Sequence, residues 1–158
     1  MIQFTRSVTI QAPASIVWRF HERPDVLDIL TPPWQPVEVL RREGGLGPGA
    51  ETEFRLYFGV LPIRWLARHT NDYESARLFT DIQVEGPFEQ WTHRHQFTPD
   101  GDRTILTDSV TFALPASWIS EPLVGGIVRS QLSDLFEFRH RVTQHECEQL
   151  AQMALQQN

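Results

Sequence analysis

Between Trp34 and Pro115 the chain is cut by short Gly- and Pro-containing turns into runs of strand length. The runs lie near 36–42, 50–59, 62–72, 77–85, 88–98 and 103–113. The turns are Gly44 to Gly49, Gly59 to Pro62, Glu74-Ser75, Gly86-Pro87 and Pro99-Asp100-Gly101-Asp102. Glycine there permits positive φ and proline fixes φ. Parallel neighbours need a crossover of about a dozen residues or more, so connections this short force an antiparallel meander.

The flanking segments say what can cover such a sheet. Val8-Thr9-Ile10 alternates polar and apolar and predicts a first strand from about Gln3 to Gln11. Ala12-Pro13-Ala14-Ser15 opens a short helix with Pro13 in its first turn. Its apolar side is Ile16, Val17 and Phe20, and Trp18 closes one end. Arg23-Pro24 ends it, and a second short helix, Asp25 to Leu30, stops at Thr31-Pro32-Pro33. After Leu114-Pro115 a linker carries Trp118, and a helical pattern follows from about Glu121 or Gly126 to Gln152. Val128, Leu132, Leu135, Phe138 and Val142 recur at three and four residues and predict one apolar stripe. The expected class is α+β, in one domain over residues 1–158. A curved antiparallel sheet cannot bury its own concave face, so the long amphipathic helix must do so. Aromatic residues at wide spacing between sheet and helix leave a cavity, a common form of small-molecule site.

Composition narrows the chemistry. The 158 residues are 41% hydrophobic with a formal net charge of −6, which argues against a nucleic-acid partner. All 14 basic residues are Arg, so a Schiff-base lysine and a P-loop lysine are excluded. No apolar run approaches the ~20 residues of a membrane span, so no stable membrane insertion is expected. The N-terminal Met1-Ile2-Gln3-Phe4-Thr5-Arg6 lacks signal-peptide character, and the single Cys147 offers neither a disulfide nor a CxxC pair. A cytoplasmic protein is expected. Cys147 has no cationic neighbour to activate it and reads as a helix-face residue.

Particular strings accompany this element order: Ala12-Pro13 with Val17-Trp18, and Phe79-Thr80-Asp81-Ile82-Gln83. Gly86-Pro87-Phe88 and Trp91-Thr92-His93-Arg94-His95-Gln96-Phe97 continue the pattern. Thr107-Asp108-Ser109-Val110 then runs on to Leu114-Pro115. Together they resemble the START-like, or SRPBCC, superfamily, in its polyketide cyclase/dehydrase-like bacterial branch. The resemblance covers essentially the whole chain. It implies the helix-grip fold, a sheet of about seven strands wrapped around the C-terminal helix, with an internal cavity for a hydrophobic or aromatic small molecule. It implies no cofactor. Fold alone does not choose between a carrier or sensor, a cyclase or dehydratase, and a protein-interaction module.

The strand from Phe88 to Thr98 has a polar face of Gln90, Thr92, Arg94 and Gln96, which sends Trp91, His93, His95 and Phe97 inward. On the next strand Leu106, Asp108, Val110 and Phe112 share a face. With Thr98 and Arg103 flanking the turn, His95 would stand opposite Leu106 and His93 opposite Asp108, within hydrogen-bond reach. On the 77–85 strand hydrophobicity would turn Leu78, Ile82 and Val84 inward, whereas the family string turns Phe79, Asp81 and Gln83 inward. On the 62–72 strand Arg64, Arg68 and Thr70 face out, which sends Trp65, Ala67 and His69 in. The candidate ligand-binding residues are therefore Trp65, His69, Phe79, Asp81, Trp91, His93, His95, Asp108 and Phe112. If the cavity is catalytic, His93 is the acid/base and Asp108 its orienter. The same residues also read as a purely structural network. His93-x-His95 could hold a metal with His69 or Asp108 as third ligand, but the resemblance calls for none and none is assigned.

Weaker signals are mostly structural. Gly44 to Gly49 lacks the Lys and following helix of a phosphate loop and reads as a flexible hairpin loop at the cavity lip. Gly125-Gly126 marks the start of the long helix. Trp34 and Trp118 border the entrance or plug the core. Arg55 faces out, and His140 and His145 are solvated. With Arg64, Arg68, Arg94 and Arg103 on outer faces or turns, the cavity is left to aromatics, His and Asp.

Overall fold

The computed structural model describes residues 1–157, with the side chains of Phe58 and residues 117–121 outside that description. The elements are β1 (Ile2–Ile10), α1 (Ala14–Glu22), α2 (Val26–Ile29), β2 (Val37–Glu43), β3 (Glu51–Phe58), β4 (Leu61–Glu74), β5 (Leu78–Glu85), β6 (Gln90–Asp100), β7 (Arg103–Ala113) and α3 (Ser117–Gln156). The strands form one antiparallel sheet in the order β1-β7-β6-β5-β4-β3-β2. β2 to β7 are the expected meander, and β1 closes the row by pairing with β7. This is the helix-grip fold.

Two boundary differences matter most for the site. The β6–β7 turn is tighter: Asp100 pairs with Arg103 across Gly101-Asp102, and Gly101 has φ +61°. The register is therefore two residues from the expected one, with His95 opposite Asp108, His93 opposite Val110 and Phe97 opposite Leu106. Side-chain period is two, so this slip leaves every residue on its face. The long helix also starts earlier, at Ser117, and runs through Pro122 and Gly125-Gly126. Those residues weigh against nucleating a helix, but extending one already formed is far cheaper.

The buried line of α3 is Leu132, Phe136, His140, Thr143, Cys147 and Ala151. Only Leu132 belongs to the expected stripe. Val128, Leu135 and Val142 flank the line half-buried, while Phe138 turns aside against Trp34, ring centroids 5.4 Å apart. A purely apolar periodicity misses a line that alternates with His, Thr and Cys. Cys147 is fully buried, and burial pushes its thiol pKa up to about 12, so it is no nucleophile.

α3 packs on β1 and β7 and against α1. One apolar cluster joins Trp18, Phe20, Phe79, Phe97, Leu106 and Cys147 around α1. A second joins Phe4, Val110, Phe112, Leu132 and Phe136. Buried Thr104 ties the entry to α1 down by donating to the Ala12 carbonyl at 2.7 Å. The Gly44–Gly49 segment is pinned rather than loose. Gly49 N–H donates to the His69 carbonyl at 3.0 Å, and His69 N–H to the Ala50 carbonyl at 2.8 Å. Leu46 is buried. Trp18 is buried among Tyr73, Phe79 and Phe97. The Trp118 side chain lies outside the described residues. Among the described residues no helix is long and apolar enough to cross a membrane.

Gly44 has φ +83°, and a Cβ there would meet Ala50 Cα at 2.9 Å. Gly45 also has positive φ but faces open space. Gly44→Ala is expected to lower unfolding free energy by about 1–3 kcal/mol, and Gly45→Ala by about 1 kcal/mol. Urea denaturation measures both. Equal losses would show that the Ala50 approach is immaterial.

Candidate functional site

Along β5, β6 and β7 every second side chain enters the concave face. β5 follows the family string: Phe79 is buried and Asp81 half-buried, while Ile82 and Val84 are exposed. The hydrophobic reading of that strand was misleading because its outer face carries the aliphatic residues.

Asp108 is the junction of the site. Its Oδ1 accepts from His93 Nε2 at 3.0 Å and lies 2.7 Å from His95 Nδ1. Its Oδ2 accepts from His140 Nε2 at 2.5 Å. The His93–Asp108 bond thus forms across the diagonal, despite the altered register. Asp81 approaches from β5, its Oδ2 3.4 Å from His95 Nε2 and 3.7 Å from His93 Nδ1.

Burial acts against charge on every one of these groups. At His95 it is outweighed by the Asp108 and Asp81 carboxylates on either side, which lift the pKa to about 9. Burial and the adjacent His95 push His93 down. Burial would raise Asp108, but His95, His140 and His93 hold it well below the usual carboxylate range. Asp81 is lowered too, its burial offset by the His95 hydrogen bond and the electrostatic pull of the neighbouring imidazoles. Near neutral pH the cluster is therefore a charged His95 between two carboxylates, beside a neutral His93.

These side chains line a cavity of about 590 Å³ between α3 and the β3–β7 part of the sheet. Trp65, His69, Phe79, Asp81, Trp91, His93, His95 and Asp108 all line it. Phe112 does not: it is fully buried in the core beside Phe88 and Trp91. His69 lies apart from the histidine pair's donor atoms, donating through Nδ1 to the Leu46 carbonyl at 2.8 Å and stacking on Phe79. Burial lowers its pKa. Arg55 pairs outward with Glu38, and His145 is exposed. Trp34 is 57% exposed yet lines the cavity, so it stands where the cavity meets solvent.

Four basic lining residues escaped the sequence reading. His140, expected in solvent, is 4% exposed and bound to Asp108, and its Nδ1 is buried without a partner. It lies one helical turn after Phe136, a spacing that could have disclosed it. His21 ends α1, its Nδ1 donating to the Val17 carbonyl at 2.8 Å. Arg42 donates to the Arg23 and His21 carbonyls, satisfying the open end of α1. Arg139 donates through Nε to the Leu30 carbonyl at 3.3 Å and lies over the Phe136 ring. Among the described residues no carboxylate lies within ion-pair distance of Arg139. The cavity therefore holds two guanidinium groups, contrary to the expectation that Arg stays outside.

The profile of the family described as polyketide cyclase / dehydrase and lipid transport matches residues 10–138. The chain belongs to this family. Among solved structures it is similar to a nucleoside-diphosphate sugar epimerase from Corynebacterium glutamicum, with 28% identity and a TM-score of 0.75. That match covers 96% of this chain but only 30% of the epimerase. An aromatase/cyclase from Streptomyces sp. R1128 shares 23% identity at a TM-score of 0.66, covering 93% of each chain. A START superfamily protein from Mycobacterium smegmatis shares 15% identity at a TM-score of 0.69, covering 94% of this chain and 98% of that one. These last two establish the shared fold. No curated protein matches the chain. Family and fold together place a ligand-binding or cyclase-type role on the chain in general terms.

Two outcomes follow from the site's electrostatics. Asp108→Asn leaves three imidazoles short of their common acceptor and is expected to cost about 3–5 kcal/mol of unfolding free energy. A urea-denaturation loss below about 1 kcal/mol would show that the carboxylate is dispensable. Burial holds the His21 pKa down at about 4. The unfolded chain then takes up that proton first, so the stabilisation is intact above about pH 6.5 and is lost as pH falls toward 4. The full displacement corresponds to about 3 kcal/mol. The thermal midpoint should fall more steeply across that window in the native protein than in His21→Gln.

Proposed function

We propose that this chain binds a hydrophobic, aromatic small molecule bearing an acidic or enolic oxygen, as a carrier or sensor. The observation that carries this reading is the cavity itself. Its volume of about 590 Å³ falls in the usual range for small-molecule sites, and its lining is mainly aliphatic and aromatic. Trp65 and Trp91 pack edge-to-face at 5.1 Å and offer flat surfaces to an aromatic guest. Arg139, which forms no ion pair among the described residues, gives that guest a polar contact. A half-buried guanidinium outside any direct ion pair favours an anionic partner.

The second reading, a cyclase or dehydratase, is supported by the His93–Asp108 bond at the cavity wall. A neutral imidazole oriented by a carboxylate can accept a proton from an acidic carbon or hydroxyl near pH 7. An interaction module without a ligand leaves a cavity of this size unexplained.

Native mass spectrometry of protein purified from its own host distinguishes these readings. The binding reading expects a persistent apolar adduct, absent in Ala67→Trp, whose larger side chain fills the cavity. Arg139→Gln should weaken rebinding of the extracted compound about tenfold or more, the scale of a charge-assisted hydrogen bond. Conversion of that compound by the native protein but not by His93→Gln would favour the enzyme. A folded protein that never carries or rebinds a small molecule would sink both.

A further inference from the structure

Beside Asp108, the donor atoms of Asp81, His93 and His95 are arranged in a way that neither reading above requires. His93 Nε2 and His95 Nδ1 both face Asp108 Oδ1, at 3.0 and 2.7 Å. The opposite nitrogens, His93 Nδ1 and His95 Nε2, both face Asp81 Oδ2, at 3.7 and 3.4 Å. Two imidazole nitrogens from neighbouring inward positions of β6 thus converge on one carboxylate oxygen of β5.

We propose that Asp81, His93 and His95 form a binding site for one divalent first-row transition metal ion, with Zn²⁺ the simplest occupant. A donor atom from each of the three lies within 4.8 Å of the others. Tetrahedral zinc, with bonds of about 2.0–2.1 Å, separates its donors by about 3.3–3.4 Å. The two distances to Asp81 Oδ2 already fall near that edge. Two imidazoles and a carboxylate are a donor set that suits zinc and its neighbours. Asp108 supplies the outer support: its carboxylate holds the far nitrogen of both imidazoles, fixing their tautomers and ring orientations. Metal binding displaces the extra proton of His95, as ligation by a neutral imidazole requires, and the dication then balances the Asp81 and Asp108 carboxylates.

All three ligands line the cavity. The remaining coordination positions therefore face the cavity and take an oxygen donor, either water or a carbonyl, enolate or phenolate oxygen of a guest. Three protein ligands with an open position is the arrangement of reactive rather than structural zinc sites. The third ligand is Asp81, not the His69 or Asp108 that spacing along the sequence suggested. The site stands independently of which organic molecule fills the cavity.

The test is titration of the chelator-treated full chain with Zn²⁺ by calorimetry and with Co²⁺ by visible absorption. One equivalent should bind with micromolar affinity or better, and Co²⁺ should give the intense bands of a low-symmetry nitrogen–oxygen site. Asp81→Asn and His95→Ala, checked for native circular dichroism, should each weaken binding at least tenfold. His145→Ala, on the exposed side of α3, should leave affinity unchanged. Failure of the native chain to bind one equivalent would overturn the proposal. So would an affinity unaffected by Asp81→Asn, or one abolished by His145→Ala.

Discussion

A single buried carboxylate, Asp108, holds the concave side of this protein in register. It accepts from β6 through His93 and from α3 through His140, and it lies in contact with His95. An acceptor with two oxygens and several lone-pair directions can serve three donors at once, where a neutral side chain would leave some unmet. The geometry is demanding because His93 and His140 are buried, His95 is half-buried, and each unmet hydrogen bond would be costly. Sheet and helix are thereby tied at a specific height, beyond what sliding apolar surfaces could enforce.

The polar layer is also where the two halves of the core meet. On β7, Asp108 lies between Leu106 of one apolar cluster and Val110 of the other. On α3, His140 lies between Phe136 and Cys147, which belong to opposite clusters. α3 packs on β1 and β7, and the space over β3 to β5 is left as cavity. The polar layer therefore reaches the cavity wall. A group built into the packing of the fold is in the same place as the groups that meet a guest.

Much of this was legible from residue order. Short turns, all but Glu74-Ser75 carrying Gly or Pro, bound the six strands, and alternation on β6 set Trp91, His93, His95 and Phe97 inward, where they are found. The facing of β5 was not legible from hydrophobicity, because Ile82 and Val84 lie on the exposed face. The family string supplied it. The register of β6 against β7 was missed by two residues, since the pattern did not show that pairing continues to Asp100 and Arg103. His140 and Arg139 were missed for another reason. Polar residues on a helix read as solvent-facing unless a partner is known, and Asp108 is 32 residues from His140 in sequence.

From sequence alone come the element order, the antiparallel meander, the need for a helix over the sheet and the family. Those follow from backbone turn chemistry and from periodicity, which act within a few residues. Tertiary structure alone decided which polar groups share the interior. It brought Asp81, His93, His95, Asp108 and His140 into one cluster and sent Arg42 and Arg139 to the cavity wall. The burial of a charge is settled by partners distant in the chain, and no local pattern records that pairing.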